Sequence, residues 1–194
     1  MKKQTIAFFI LIFTAAGLTA ETGYQSHKWY ETINNFSRSN RIQFEDDPLY
    51  GLVFPLAYNK NIENEQTILY YGFDTEYFEF IAAGFTVTNK TAEKIKSKLG
   101  PKINTYKITT EYRTEEELDF EGNEEEIRKY KDCFIFVDLR SVAYGIDLGY
   151  VEEFEKGDGV ITIYNYNDDT RAYVFENFYD KRTTIVFIPY NRGY

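Results

Sequence analysis

Residue types that could do chemistry are scarce in one class and abundant in another. The 194-residue chain holds one His, one Cys and 31 acidic residues. His27 and Cys133 would form a thiolate–imidazole pair only if the fold brought them together. Cys133 opens the run Cys133-Phe-Ile-Phe-Val-Asp-Leu139, where a thiol behaves as a small hydrophobe. A reactive thiolate needs an electropositive, accessible setting instead. One His and one Cys cannot furnish the three or four protein ligands of a Cys/His zinc site. No Gly-x-Ser-x-Gly, phosphate loop or dinucleotide fingerprint occurs. The sequence therefore designates no catalytic residue, no metal-ligand set and no cofactor.

Carboxylates are the remaining reactive class. Asp74, Glu76 and Glu79 flank a Tyr- and Phe-rich segment, and two acids about 5–9 Å apart suffice for glycoside hydrolysis. A carboxylate-dependent hydrolase is thus one alternative reading, decided by whether two acids converge in space. Asp119, Glu121 and Asn123 have the 1, 3, 5 spacing of an EF-hand loop, but Glu124 stands where the turn requires Gly. The Asn167-Asp168-Asp169 turn, with Asp158, is a second cation candidate; solvated acidic loops are the commoner case. The 18 Tyr and 17 Phe are the other abundant class. Tyr70, Tyr71, Tyr77, Tyr164, Tyr166 and Tyr173 fall on predicted strands or their ends. Tyr has an apolar body and a polar tip, so these six are the ligand-binding candidates, with core packing as the alternative.

The elements that must position these residues are mainly strands. From Gly159 to Tyr190, three segments rich in β-branched and aromatic residues are separated by short polar connections, the pattern of an antiparallel meander. Both faces of its strands carry apolar residues, so both must be covered. A sandwich, a sheet flanked by helices or a filled barrel would each cover them. Upstream, Thr67–Phe73 and Glu76–Ala82 read as a hairpin joined around Asp74-Thr75. Leu49–Tyr58, interrupted by Gly51 and Pro55, reads as an edge or bulged strand, and Asn59–Glu65 as a polar loop. Arg41–Phe44, Gly84–Thr88 and Ile103–Tyr112 add β material. Cys133–Leu139 reads as a core strand and Val142–Tyr150 as another.

Helices are few and short. Thr91 as N-cap, the face Ala92, Ile95 and Leu99, and the stop Gly100-Pro101 predict one helix. Trp29, Ile33 and Phe36 after Ser26 predict a second. Glu124 with Arg128 and Glu125 with Lys129 support a third over Asn123–Tyr130. The fold class is α+β, mainly antiparallel β: a C-terminal β-meander with two or three short helices and a sandwich- or barrel-like core.

Met1-Lys2-Lys3, an apolar run from Ile6 to Phe13 and the small residues behind it describe a bacterial-type secretory signal peptide over residues 1–20, cut after Ala20. The run is too short for a membrane anchor, which needs about 20 apolar residues. Residues 21–194 then form a single β-rich exported domain. With 22 basic and 31 acidic residues, losing Lys2 and Lys3 takes the net charge from −9 to −11. That charge repels nucleic acid and anionic membrane. No later apolar run is long enough for a helical span. With one Cys no intramolecular disulfide forms, so aromatic burial must carry the core.

Together these features point to an exported, periplasmic or secreted, non-enzymatic binding protein whose partner is an unspecified protein or small-molecule ligand. Besides the hydrolase, a small outer-membrane β-barrel is the alternative, favoured by the aromatic last residue Tyr194. Its strands would each need continuous alternating apolar bands of about ten residues.

Overall fold

The computed structural model describes residues 23–25, 27–40, 53–74, 76–108, 159–178 and 181–190, and most positions of 132–146. In chain order these form β1 (Gly23–Tyr24), β2 (His27–Lys28), α1 (Ile33–Asn40), β3 (Val53–Ile62), β4 (Glu65–Asp74), β5 (Phe80–Thr88), α2 (Asn89–Lys96) and β6 (Lys102–Ile108). A helical stretch within residues 132–146, here α3, comes next. The chain then forms β7 (Gly159–Asn167), β8 (Thr170–Asn177) and β9 (Arg182–Pro189).

Seven strands build one antiparallel sheet in the order β3-β4-β5-β9-β8-β7-β6. The chain lays down β3, β4 and β5 as successive hairpins, then crosses through α2 to place β6 at the far edge. After α3 it returns inward through β7 and β8, and β9 joins β5. The three C-terminal segments are thus adjacent strands, and the α+β, mainly antiparallel class holds. Pro55, which has no N–H for a ladder, falls on the edge strand β3, where Pro is tolerated.

Side chains alternate across the sheet because the strand repeat is two residues. Leu69, Tyr71, Phe73, Phe85, Val174, Ile185 and Phe187 are buried on one face, with Tyr24, Trp29 and Phe36 of the N-terminal segment and Ala92 and Ile95 of α2 packed over them. Tyr70, Ile161, Ile163, Tyr173, Phe175 and Val186 are buried on the other, beneath Phe136, Leu139, Ala143 and Ile146 of α3. Each face carries a packed layer, the arrangement of a sheet flanked by helices. Among the described residues no helix is long and apolar enough to cross a membrane.

The described positions of the predicted strand Cys133–Leu139 are helical, and so are those within 142–146 of the predicted strand Val142–Tyr150. Phe136, Leu139, Ala143 and Ile146 are all buried, and their spacing of three and four is that of one helix face. Near-continuous apolarity masks this period, since a buried strand and a buried helix face look alike over a short run. Gly84 receives the helix. A Cβ there would lie 2.7 Å from Phe136 Cδ2 and 2.9 Å from the Ile185 carbonyl oxygen. Gly84 pairs with Tyr70 and Val186, and the Tyr70 ring stacks on Phe136 at 5.6 Å. Asp132 is tied to β9 by the Arg182 Nη1 donor at 3.0 Å.

Three further boundaries differ from expectation. The predicted loop Asn59–Glu65 is strand through Ile62, closed by Glu63 and Asn64 with φ 51° and 68°, the two-residue hairpin geometry that needs positive φ at both central positions. Its Asn59, Lys60 and Asn61 are polar because they are exposed. The N-cap of α2 is Thr88, whose Oγ1 accepts from the Thr91 N–H; Thr91 itself is buried one turn in. At the N-terminus only Ile33 and Phe36 of the expected helical stripe are helical. Tyr30, with φ 65°, breaks the helix, and Trp29 sits ahead of it, stacked on Phe80 at 4.7 Å. The signal segment, the strand Arg41–Phe44, the helix Asn123–Tyr130 and the candidate loop at Asp119 lie outside the described residues.

Strand β5 changes partners along its length. On one side β9 flanks it only from Ala83 to Thr88. Beyond Ala83, residues 30–33 take that place. The N–H of Tyr30 donates to Phe80 O (2.8 Å), that of Phe80 to Glu31 O (2.9 Å), and that of Ile33 to Phe78 O (2.8 Å).

Candidate contact site at one end of the sheet

The antiparallel order puts the β4–β5 turn, the β7–β8 turn, the end of β9 and the start of β6 at the same end of the sheet. With strands about 4.8 Å apart, β4 and β6 are separated by about 24 Å across that end. Large apolar side chains exposed here are Tyr77 (66%), Phe78 (46%), Ile103 (42%), Tyr166 (40%) and Tyr190 (45%). At the opposite end the only comparable one among the described residues is Phe178. Aromatic surface normally withdraws from water, so its concentration at one end is informative.

The β4–β5 turn is held open by Asp74. Its Oδ1 accepts from the N–H groups of Glu76 (3.0 Å) and Tyr77 (2.6 Å), and its Oδ2 from that of Glu79 (3.0 Å). The Asp74 N–H in turn donates to Glu79 O at 3.0 Å. An Asx-type side chain satisfying turn donors is the local reason the chain reverses here. Phe78 adopts φ 54°, a conformation that costs a bulky L-residue about 1–3 kcal/mol. The bond from Ile33 to the Phe78 carbonyl helps impose it. Tyr77 and Phe78 therefore project from a fixed turn. The Glu76 carboxylate, accepting from the Tyr77 hydroxyl, raises that phenol above its ordinary value, with Asp74 and Glu79 adding to the effect.

The β7–β8 turn is fixed from the other side. Asn167 Oδ1 accepts from the Asp169 N–H (3.2 Å), Thr170 Oγ1 donates to Asp169 Oδ1 (2.9 Å), and Trp29 Nε1 donates to Thr170 Oγ1 (2.7 Å). The Tyr190 N–H donates to Asp169 O at 2.7 Å. Tyr166 packs on Phe187 at 4.8 Å, and the Arg171 guanidinium lies 3.1 Å from the centre of the Tyr190 ring, a cation–π contact.

The six predicted tyrosines do not share one surface. Tyr70 and Tyr173 are buried beneath α3, Tyr71 is buried on the opposite face against Phe36, and Tyr164 is half-buried. Only Tyr77 and Tyr166 are both exposed and at the same end. Phe78, Ile103 and Tyr190 are exposed there too, although the sequence does not single them out. Position alone could flag two of them: Phe78 adjoins Tyr77 inside a turn, and Tyr190 follows Pro189 at a strand end.

The reactive groups are dispersed. His27 packs on the N-terminal face of the sheet against Phe36 and Tyr71, whereas Cys133 packs on the α3 face. The sheet separates them, which removes the thiol–imidazole pair. Both oxygens of Asp74 serve the turn. Asp169 anchors Thr170. Among the described residues no three His, Cys, Asp or Glu side chains converge to hold a metal ion; Asp158 lies outside them. No protein-family model, curated protein or solved structure matches the chain.

Proposed function

We propose that the protein is an exported, non-enzymatic binding protein that meets its partner or ligand with the aromatic end of its sheet. The observation that carries this reading is the gathering of exposed Tyr77, Phe78, Ile103, Tyr166 and Tyr190 at one end of the sheet, Tyr77 and Phe78 on a turn fixed by Asp74. Rigid aromatic side chains lose little entropy on contact and dominate binding energy where they occur. Export is supported by the Lys2-Lys3 start and the apolar run behind it. A soluble rather than barrel state is supported by protein layers packed over both faces of the sheet.

The test is co-sedimentation with the host cell envelope and its released polymers, comparing the wild type with Tyr77→Ser/Phe78→Ser. Phe178→Ser, at the opposite end, is the control. Loss of two contact aromatics is expected to weaken association by about tenfold or more, with the control unchanged. Equal association of all three chains would sink the reading.

A further inference from the structure

We propose that His27 is an acid-sensitive latch, whose protonation releases residues 23–40 from the face of the sheet they cover. His27 is 6% exposed. Its ring lies 4.1 Å from Phe36 of α1, 5.4 Å from Tyr71 of β4 and 6.2 Å from Phe80 of β5. Nδ1 is buried without a hydrogen-bond partner among the described residues. Among the described residues the facing carboxylate is that of Glu31, whose Oε2 stands 3.8 Å from Nδ1, too far to hydrogen-bond the ring in place. From β3 the facing charge is Lys60. The Tyr58 and Tyr71 hydroxyls are both pushed up to about 12 by burial, so neither titrates near neutrality.

The surroundings set the sign of the response. Burial lowers the imidazole below its ordinary 6.5; Glu31 opposes this in part and Lys60 adds to it. The closed form therefore refuses a proton that the released form accepts. Closure is fully supported above pH 6.5 and weakens as pH falls through the depressed value. With one His in the chain, no other side chain has its ordinary pKa between the carboxylates and the thiol. Release would also remove the bonds from residues 30–33 to Phe78 and Phe80, freeing the Tyr77–Phe78 turn; that consequence rests on the aromatic end being the contact surface.

The chain supplies its own reporter. Its one Trp, Trp29, lies in the same segment and is 7% exposed. Lowering the pH from about 7.5 to about 5, across the imidazole range, is expected to shift Trp29 emission to the red. The far-UV signal of the sheet should persist, and the single imidazole proton resonance should titrate below 6.5. The shift should be absent in His27→Gln and in His27→Phe, which keeps the aromatic box filled should the Gln chain fold poorly. Unchanged wild-type emission, a shift that survives in both variants, or an imidazole titrating at or above 6.5 would overturn the latch. None of these three readouts uses ligand binding, so failure of the latch and failure of the proposed contact surface are separable.

Discussion

The Trp29 indole N–H donates to the Thr170 hydroxyl at 2.7 Å, a hydrogen bond across 141 residues. It joins the N-terminal segment to the β7–β8 turn, and the same hydroxyl donates a hydrogen bond to Asp169 Oδ1 at 2.9 Å. One buried hydroxyl thus fixes both a cover and a turn.

Thr170→Val should leave the Trp29 N–H without its acceptor, whereas Trp29→Phe leaves the Thr170 hydroxyl only its bond to Asp169. Thr170 is 1% exposed, so water cannot replace the lost bond. Trp29→Phe and Thr170→Val are each expected to lower the unfolding free energy by about 1–3 kcal/mol. Urea unfolding of the double variant should show a coupling of about 1 kcal/mol. Strict additivity would mean that the bond contributes nothing.

Gly84 makes the second prediction. A Cβ at this position meets a ring edge and a backbone oxygen, and the oxygen cannot move without disturbing the β5–β9 ladder. Gly84→Ala is expected to cost about 1–3 kcal/mol through overpacking. Phe136→Leu, damaging alone, should be less damaging in the Gly84→Ala background because the smaller side chain yields space. Thermal unfolding of the four chains checks this. If the Phe136→Leu penalty is the same in both backgrounds, the helix does not seat on Gly84.

These two contacts also show where a sequence is legible and where it is not. Alternation and turn residues make the hairpins and the C-terminal strands legible, because period two and polar punctuation are local signals. The role of Gly84 is not local: a Cβ there would meet the Phe136 ring and the Ile185 carbonyl oxygen, both far along the chain. The helix carrying Phe136 reads as a strand since Cys133–Leu139 is apolar on nearly every side. Likewise, a sheet covered on both faces erases the difference between a buried Tyr70 and an exposed Tyr77. Both neighbours on such a strand are apolar, and only turn position distinguishes the solvent-facing one.

Glu65 provides a prediction in pH. Burial would raise its carboxyl, but hydrogen bonds from Thr91 and Thr88 more than offset this and hold it below the ordinary 4.5. The carboxylate accepts from the Thr88 N–H at 2.9 Å and from Thr88 Oγ1 at 2.7 Å, bracing the N-cap of α2 against the β3–β4 hairpin. A depressed folded pKa contributes stability above 4.5 that disappears as pH falls through the folded value. Glu65→Gln should therefore be less stable than the wild type at neutral pH and equal to it in strong acid. A stability gap independent of pH would show that the charge is irrelevant.

Phe78 sets stability against contact. Its φ of 54° suits glycine at no steric cost, and its side chain is 46% exposed, so truncation forfeits little core. Phe78→Gly is expected to raise the unfolding free energy by about 0.5–1 kcal/mol, the relief of the left-handed conformation less the entropy of an added glycine. Asp74→Asn should act in the opposite sense, since one oxygen of the pair that receives Glu76, Tyr77 and Glu79 becomes a donor; a loss of about 1 kcal/mol is expected from the weakened turn. If the aromatic end is the contact surface, Phe78→Gly should bind more weakly while unfolding later, a divergence that a purely structural role cannot produce. Parallel chemical denaturation and envelope co-sedimentation of the two variants measure it. Should Phe78→Gly bind as the wild type does, Phe78 makes no energetic contribution to contact and its strained backbone serves the turn alone.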